Sequence, residues 1–335
     1  MYSDPIVSVL MPVCNAEPYI EEAIESILNQ TYKSFEFIIC YDESSDNSLK
    51  IIKKYKERDV RIVISYGQGR GLIAALNDGL KLSVGRYIAR MDADDVSCIT
   101  RLEHQVRFLD GNSEVGVCGT WVEVFGEVQR NSIWKPPIND MELKTKLLFS
   151  VPFAHPSIMM KNELIRQHDL EYNEEYDTME DYKFWVDISK HTKFSVIPKV
   201  LLKYRYLKTS LSKTADRDHE KRFLAIQKVF AKVLEELDLK NTEKENRLHF
   251  LIGLNERIAS GKIDLDFLNS YLNKLIEANK VTKVFHQKYL EQYLEKKFLV
   301  VIFYIIKKID LNFLRAFFYK RFWMGIANVL AKKIH

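Results

Sequence analysis

The run Tyr87-Ile-Ala-Arg-Met91 is short and mostly apolar, follows Gly85, and stops on three carboxylates, Asp92, Asp94 and Asp95, with only Ala93 between the first two. A buried strand that ends at once on acidic residues brings negative charge to the carboxyl end of a sheet, where open α/β folds place their ligands. Three carboxylates so close repel one another unless a cation sits among them. The Asp-x-Asp spacing lets one carboxylate reach a hard divalent ion while the other turns to a hydroxyl or water, and Mg²⁺ or Mn²⁺ usually completes its shell with substrate phosphates. The run therefore reads as a metal–diphosphate site. A bare Asp-x-Asp is more often a solvated acidic turn, so the neighbouring segments decide between the two.

Those segments alternate. Ile6 to Val13 is rich in β-branched residues and closes on Pro12 and Asn15, a strand ending in a turn. Tyr19 to Gln30 sets Ile20, Ala23, Ile24, Ile27 and Leu28 at helical spacing. Phe35 to Tyr41 is a second strand that ends on Asp42, and a helix starting near Ser48 has Asp46 or Asn47 as its cap. Arg61 to Tyr66 is a third strand, and Gly67-Gln-Gly-Arg-Gly71 leads into the helix Leu72 to Leu82. Elements alternating at this length imply parallel βαβ units. The three glycines allow close backbone approach to a ligand, and Arg70 offers a fork of donors to a phosphate, although a tight turn alone explains the glycines equally well. The dinucleotide fingerprint G-x-G-x-x-G is absent.

On the segments VSVLMPVCNAEPYIEEAIESILNQTYKSFEFIICYDESSDNS, GRGLIAALNDGLKLSVGRYIARMDADD, FAHPSIMMK and EDYKFW, the chain resembles the nucleotide-sugar glycosyltransferases of family 2, which have the GT-A fold. Four ordered motifs over roughly residues 5 to 210 carry the likeness. It implies an α/β, Rossmann-like domain with a mixed, mostly parallel sheet flanked by helices, a nucleotide diphosphate-sugar donor of the UDP type, Mg²⁺ or Mn²⁺, and inversion at the anomeric carbon. By the same likeness Pro12, at the end of the first strand, lies near the nucleotide and Asp42 bonds its base. Family members usually show two consecutive aspartates and a small residue there, whereas this chain has Tyr41-Asp42-Glu43. Asp92 and Ala93 then face the ribose and metal region, Asp94 is the main metal-contacting carboxylate beside Asp92, and Asp95 supports them.

Further along, Arg101 to Leu109 reads as a helix, Val115 to Val124 as a strand, and Glu127 to Asp140, with Trp134, Pro136 and Pro137, as a loop. The family likeness sets Phe149 to Met160 at the acceptor side, so His155 is a site residue rather than a base. Glu180-Asp181 precedes the amphipathic pattern Tyr182, Trp185, Val186, Ile188 and sits at a helix start, a place that also favours acids for dipole reasons alone. Inverting transfer needs a general base for the acceptor hydroxyl, and the resemblance assigns it to Asp181, with Glu180 orienting it or binding the acceptor. Trp185, Asp95 and Arg205 are candidate acceptor or diphosphate contacts. Arg205, in Tyr204-Arg-Tyr206 after an apolar strand Val196 to Leu202, meets the diphosphate or closes a salt bridge.

From about Asp216 the pattern turns helical and polar, lacking turn clusters except Ser260-Gly261. The expected division is a catalytic domain 1–215, a helical region 216–297, and a basic aromatic tail 298–335. The net charge of +4 hides an asymmetry: residues 296–335 hold nine Lys or Arg and one Asp, a net of +8, which leaves −4 for the rest. Phe298 to Ile306 is apolar but too short to span a bilayer, and Lys307, Lys308, Arg315, Lys320, Arg321, Lys332 and Lys333 alternate with Phe313, Phe317, Phe318, Phe322 and Trp323. That mixture suits a helix lying on an anionic membrane surface, ahead of a nucleic-acid patch or a tail that pairs two copies into a homo-oligomer. Cys14, Cys40, Cys98 and Cys118 show no CxxC spacing and read as small core residues in a reducing compartment, and no secretory signal precedes Ile6.

The expected protein is an inverting, metal-dependent glycosyltransferase, cytoplasmic and peripheral at the inner face of the membrane. It moves a hexose or N-acetylhexosamine to a hydroxyl of a glycan or glycolipid in bacterial surface polysaccharide, lipopolysaccharide or lipid-linked oligosaccharide synthesis, and takes no nucleic acid. A sugar-phosphate nucleotidyltransferase is the alternative enzyme; a silent glycan-binding protein of the same fold is the third reading. The Glu180-Asp181 pair disfavours the first alternative, and the intact Asp92, Asp94 and Asp181 disfavour the second.

Overall fold

The computed structural model describes residues 5–254, 263–307 and 319–331. The chain forms two compact units, Met1–Leu143 with Pro152–Asp218, and Lys144–Val151 with His219–His335.

The first unit holds a nine-stranded sheet. Strands β1 (Val7–Val13), β2 (Phe35–Tyr41), β3 (Ile62–Tyr66) and β4 (Tyr87–Arg90) run parallel, joined by helices α1 (Ile20–Leu28), α2 (Ser48–Lys56) and α3 (Leu72–Leu82). All seven residues of β1 are buried, because β2 and β4 pair with its two edges and helices cover its faces. Val7, Val9 and Met11 pack with Ile20, Ile24 and Ile27 of α1 and with Phe35, Phe37 and Ile39 of β2. The expected βα alternation is present: β2 and α3 have the expected bounds, and β1, α1 and β3 lie one or two residues inside theirs.

Beyond β4 the sheet changes direction. Its path is β3-β2-β1-β4-β8-β6-β9-β5, where β5 is Val96–Ser97, β6 Val115–Gly126, β8 Met159–Lys161 and β9 Lys193–Tyr206. Strand β8 is antiparallel to both β4 and β6, while β6 and β9 run parallel. Helix α4 (Arg101–Gly111) follows β5.

Two sequence expectations need correction here. The expected loop 127–140 contains a strand, β7 (Ser132–Trp134), antiparallel to β6 with Val122 opposite Trp134; three residues are too few to show a period of two. Helix α5 (Asp140–Lys146) begins where that loop was expected to end. Tyr204-Arg205-Tyr206 does not follow a strand but continues β9, because β6 offers partners as far as Gly126, opposite Tyr206. This unit also holds α6 (Asn162–Gln167), α7 (Glu180–Ile188), α8 (Leu211–Arg217) and short 3-10 turns at His155–Ser157 and Glu174–Tyr176.

Of the two cap candidates before α2, Asn47 holds the cap position without a side-chain cap bond, while Asp46, one residue earlier, accepts the Ser48 N–H at 3.0 Å with one oxygen and the Glu17 N–H at 2.9 Å with the other. The Asn47 amide is drawn away to Glu17. All four cysteines are free; Cys40 and Cys118 are buried, but Cys14 is exposed at the end of β1 rather than a core residue.

The second unit is built from residues 144–151 and helices α9 (His219–Glu236), α10 (Glu243–Gly253), α11 (Leu265–Thr282), α12 (Gln287–Lys307) and α13 (Lys320–Ala331). Thr242 and Glu245 form a capping box at the start of α10, each bonding the other's backbone N–H. At its centre His249 bonds the Leu148 carbonyl through Nε2 at 2.6 Å and the Tyr271 hydroxyl through Nδ1 at 2.5 Å, and its ring stacks on Phe149 with centroids 4.2 Å apart. Burial pulls its pKa down to about 3, so the ring is neutral. A carbonyl only accepts, which puts the proton on Nε2 and makes Tyr271 the donor to Nδ1.

Helix α12 runs unbroken through residue 298, where the sequence division placed a boundary. Ser260-Gly261 and, in the tail, Lys308, Phe313, Arg315, Phe317, Phe318, Lys332 and Lys333 lie outside the described residues. Among those described, no helix is long and apolar enough to cross a membrane.

Candidate active site

The carboxyl ends of β1, β2 and β4 open into a cavity of about 720 Å³ lined by Pro12, Asn15, Asp42, Arg90, Asp92 and Asp94, among others. This is the crevice the parallel order predicts, at the point where β4 turns the sheet over to its antiparallel neighbour.

Asp42 sits at its back, 6% exposed. Its two carboxylate oxygens accept the backbone N–H groups of Gly69 and Gly71, each at 2.7 Å, so the loop before α3 is wound around one side chain. A Cβ on Gly67 would lie 2.8 Å from the Asp42 Oδ1, and only glycine lets the chain pass that close. Asp42, read from sequence as a base contact, thus first serves to shape the glycine loop. Arg70 is spent on the same loop: its Nε donates to the Gly67 carbonyl at 2.9 Å and its guanidinium pairs with Asp78.

Asp92, Asp94 and Asp95 present oxygens that all lie within 4.8 Å of one another. Burial, and then the Asp92 charge, push the Asp94 carboxyl up to about 6, and the same causes, with the Asp94 charge added, hold Asp95 well above the usual carboxylate range. Asp95 is 1% exposed; its Oδ1 accepts the Arg205 N–H at 2.7 Å, and its Oδ2 has no partner. An all-oxygen donor set with mutual repulsion and an orphaned buried oxygen fits a hard divalent cation such as Mg²⁺ or Mn²⁺. Asp92 is steadied by the buried Arg90, with which it forms an ion pair. Burial works most strongly against the Arg90 charge, but Asp92, Tyr172 and Asp95 together outweigh it and hold the proton on.

Arg205 closes a salt bridge rather than facing the cavity. Its Nε donates to the Asp94 carbonyl at 2.7 Å, its Nη2 pairs with Glu22, and the guanidinium lies between the rings of Tyr19 and Phe125.

A second cavity of about 400 Å³ shares Gly71 and Leu72 with the first and is lined by Arg70, Asp177, Thr178 and Glu180. Glu180 and Asp181 form the first turn of α7, as the sequence pattern indicated. Burial, and then Asp181, raise Glu180 to about 7. One oxygen of Asp181 accepts the Tyr182 N–H at 2.6 Å. His155 is buried with its Nε2 2.8 Å from the Tyr172 hydroxyl; burial, helped by Arg90, holds its pKa well below the usual imidazole range. The ring is therefore neutral. Trp185 corrects the sequence reading. It is 0% exposed, set edge-on to Phe153 and His155 with its indole N–H unpartnered, so it supports the site from the core and cannot touch an acceptor.

Two residues of the site escaped the sequence reading. Arg90 had a signal, a cation inside an otherwise apolar strand, but its meaning depends on Asp92 lying beside it. Tyr172 had none, because the chain brings it to His155 only after folding.

The family model for glycosyl transferase family 2 matches residues 8–168. A Haemophilus influenzae protein described as an uncharacterized glycosyltransferase is 35% identical over 215 residues, 61% of this chain and 67% of that one. The Escherichia coli UDP-Glc:alpha-D-GlcNAc-diphosphoundecaprenol beta-1,3-glucosyltransferase WfgD is 28% identical over 62% of this chain and 80% of its own. Among solved structures, S. aureus TarS 1-349 in complex with UDP-GlcNAc superposes with a TM-score of 0.60 at 19% identity, over 91% of this chain and 92% of that one, a likeness of fold.

Proposed function

Because the chain belongs to glycosyl transferase family 2, we propose that it moves a hexose or N-acetylhexosamine from a UDP-sugar to a hydroxyl of a glycan or lipid-linked acceptor, with inversion, in surface polysaccharide assembly at the inner face of a membrane. The observation that carries this reading is the acidic cluster Asp92, Asp94 and Asp95, with its orphaned oxygen, at the edge of a cavity that Pro12 and Asp42 also line. The relative WfgD, which by its name uses UDP-Glc and a diphosphoundecaprenol-linked sugar, supports the choice of donor and acceptor class.

In this reading the donor lies in the larger cavity, its nucleotide against the glycine loop that Asp42 holds. Asp92 and Asp94 hold a divalent cation, which when bound supplies positive charge to the departing diphosphate. The acceptor hydroxyl enters from the smaller cavity. Asp181 takes its proton as the oxygen bonds to the anomeric carbon and the bond to the diphosphate breaks on the opposite face. Glu180, facing that cavity, orients the acceptor.

The test is a panel of nucleotide sugars assayed for turnover with Mg²⁺ or Mn²⁺ and again with excess chelator. Release of nucleoside diphosphate from one UDP-sugar, lost in chelator and in Asp94→Ala while the variant stays folded, is the expected result. Turnover that survives both treatments overturns the metal assignment.

A further inference from the structure

Within the second unit, α11, α12 and α13 enclose a cavity of about 510 Å³ that no part of the transfer chemistry uses. Arg321 lines it while only 8% exposed. One Nη donates to Asn273, and the Nε and the other Nη have no partner. A guanidinium stripped of water with donors unused is costly, and burial lowers its hold on the proton despite Glu295 and Glu291 nearby. Lys320 stands exposed at the rim, and Glu291 and Glu295 line the same cavity, so two positive and two negative side chains share it. A multiply charged anion is opposed by the glutamates, and a plain cation by Arg321 and Lys320. A small zwitterion, with a phosphate and a primary ammonium a few bonds apart, answers both pairs.

The same helices say where such a group would come from. Phe303 and Ile306 on α12 are 61% and 46% exposed, and Trp323 and Met324 on α13 are 54% and 39% exposed, with Met324 also lining the cavity. Large apolar side chains left in water beside cations mark a membrane-interface face. We propose that this cavity is a headgroup site for phosphatidylethanolamine, Arg321 and Lys320 taking the phosphate and Glu291 the ammonium, while the exposed apolar residues enter the acyl boundary. The inference rests on the membrane part of the function proposed above, but not on the transfer reaction.

The experiment is co-sedimentation of the full chain with vesicles holding a constant fraction of phosphatidylglycerol, the remainder being phosphatidylcholine or phosphatidylethanolamine. The quaternary ammonium of choline cannot donate a hydrogen bond, so binding should be about tenfold tighter to the ethanolamine vesicles. Soluble glycerophosphoethanolamine should compete, and glycerophosphocholine and inorganic phosphate should not. Arg321→Gln should erase the preference while keeping charge-driven binding; Lys320→Gln, at an exposed position, should reduce it without touching the fold. Equal binding to the two vesicle types, a preference kept in Arg321→Gln, or equal competition by phosphate overturns the headgroup site and leaves the membrane reading standing. Absence of binding to every vesicle overturns both.

Discussion

The backbone N–H of Arg205 donates to Oδ1 of Asp95 at 2.7 Å, a hydrogen bond that joins residues 110 apart. Together with the bond from its guanidinium to the Asp94 carbonyl, it makes β9 the fastening of the acidic cluster. Arg205→Ala keeps the first bond and removes the second, along with the contacts to Tyr19 and Phe125. The expected loss is about 1 kcal/mol of stability and a similar weakening of Mn²⁺ binding, about fivefold, read by thermal unfolding and by metal titration. Unchanged metal affinity would show that the cluster keeps its shape without this arginine.

The carboxylate pair on α7 is separable by kinetics. Asp181→Asn retains shape but cannot take a proton, so kcat should fall by roughly 10² to 10⁴ with donor binding kept. Glu180, raised to about 7, is half protonated near neutrality, so kcat/KM should climb as pH rises through that value. In Glu180→Gln that climb should vanish from the profile. A profile identical in wild type and variant assigns the ionisation to another group.

Gly67→Ala tests the glycine loop. With a methyl group 2.8 Å from the Asp42 Oδ1, the loop or the carboxylate must move. The expected cost is about 1–3 kcal/mol, by the general penalty for overpacking, with weaker nucleotide binding as Gly69 and Gly71 lose their acceptor. Calorimetric titration with UDP checks the binding, and chemical denaturation the stability.

Much of this site is legible before folding is known. Tyr87 to Asp95 reads as a strand ending in charge, and Glu180-Asp181 as a helix start, since each signal lies within a few neighbouring residues. What is hidden has partners far along the chain. Whether Asp42 is free to meet a ligand depends on where residues 67–71 come to rest. Trp185 looks like an aromatic at an active-site helix, yet the turn it occupies on α7 faces Phe153, and that orientation is set by tertiary packing. The three residues of β7 become a strand because β6 presents an unpaired edge.

Sensitivity to acid comes from a buried imidazole. His249, depressed to about 3, takes no proton in the native state until far below the pH at which the unfolded chain takes one, about 6.5. Its contribution is complete above 6.5 and is lost at about 1.4 kcal/mol per pH unit as pH falls from there toward 3. Glu180 acts with the opposite sign: raised from 4.5 to about 7, it contributes fully below 4.5 and loses that contribution as pH rises to 7. Chemical denaturation of wild type and His249→Gln between pH 4 and 7 should give a flatter dependence in the variant, which is also less stable at pH 7. Equal slopes would place the titration elsewhere.

Residues 144–151 belong to the helical unit although the chain returns to the sheet at Pro152. A gene that exchanged everything after residue 218 for another tail would therefore inherit Leu148 and Phe149 without His249, the ring that bonds one and stacks on the other. Recombination that treats the helices as a removable module meets this insert as a barrier. The two parts are expected to be passed on, and to vary, together, so a change of tail among relatives should be accompanied by changes within 144–151.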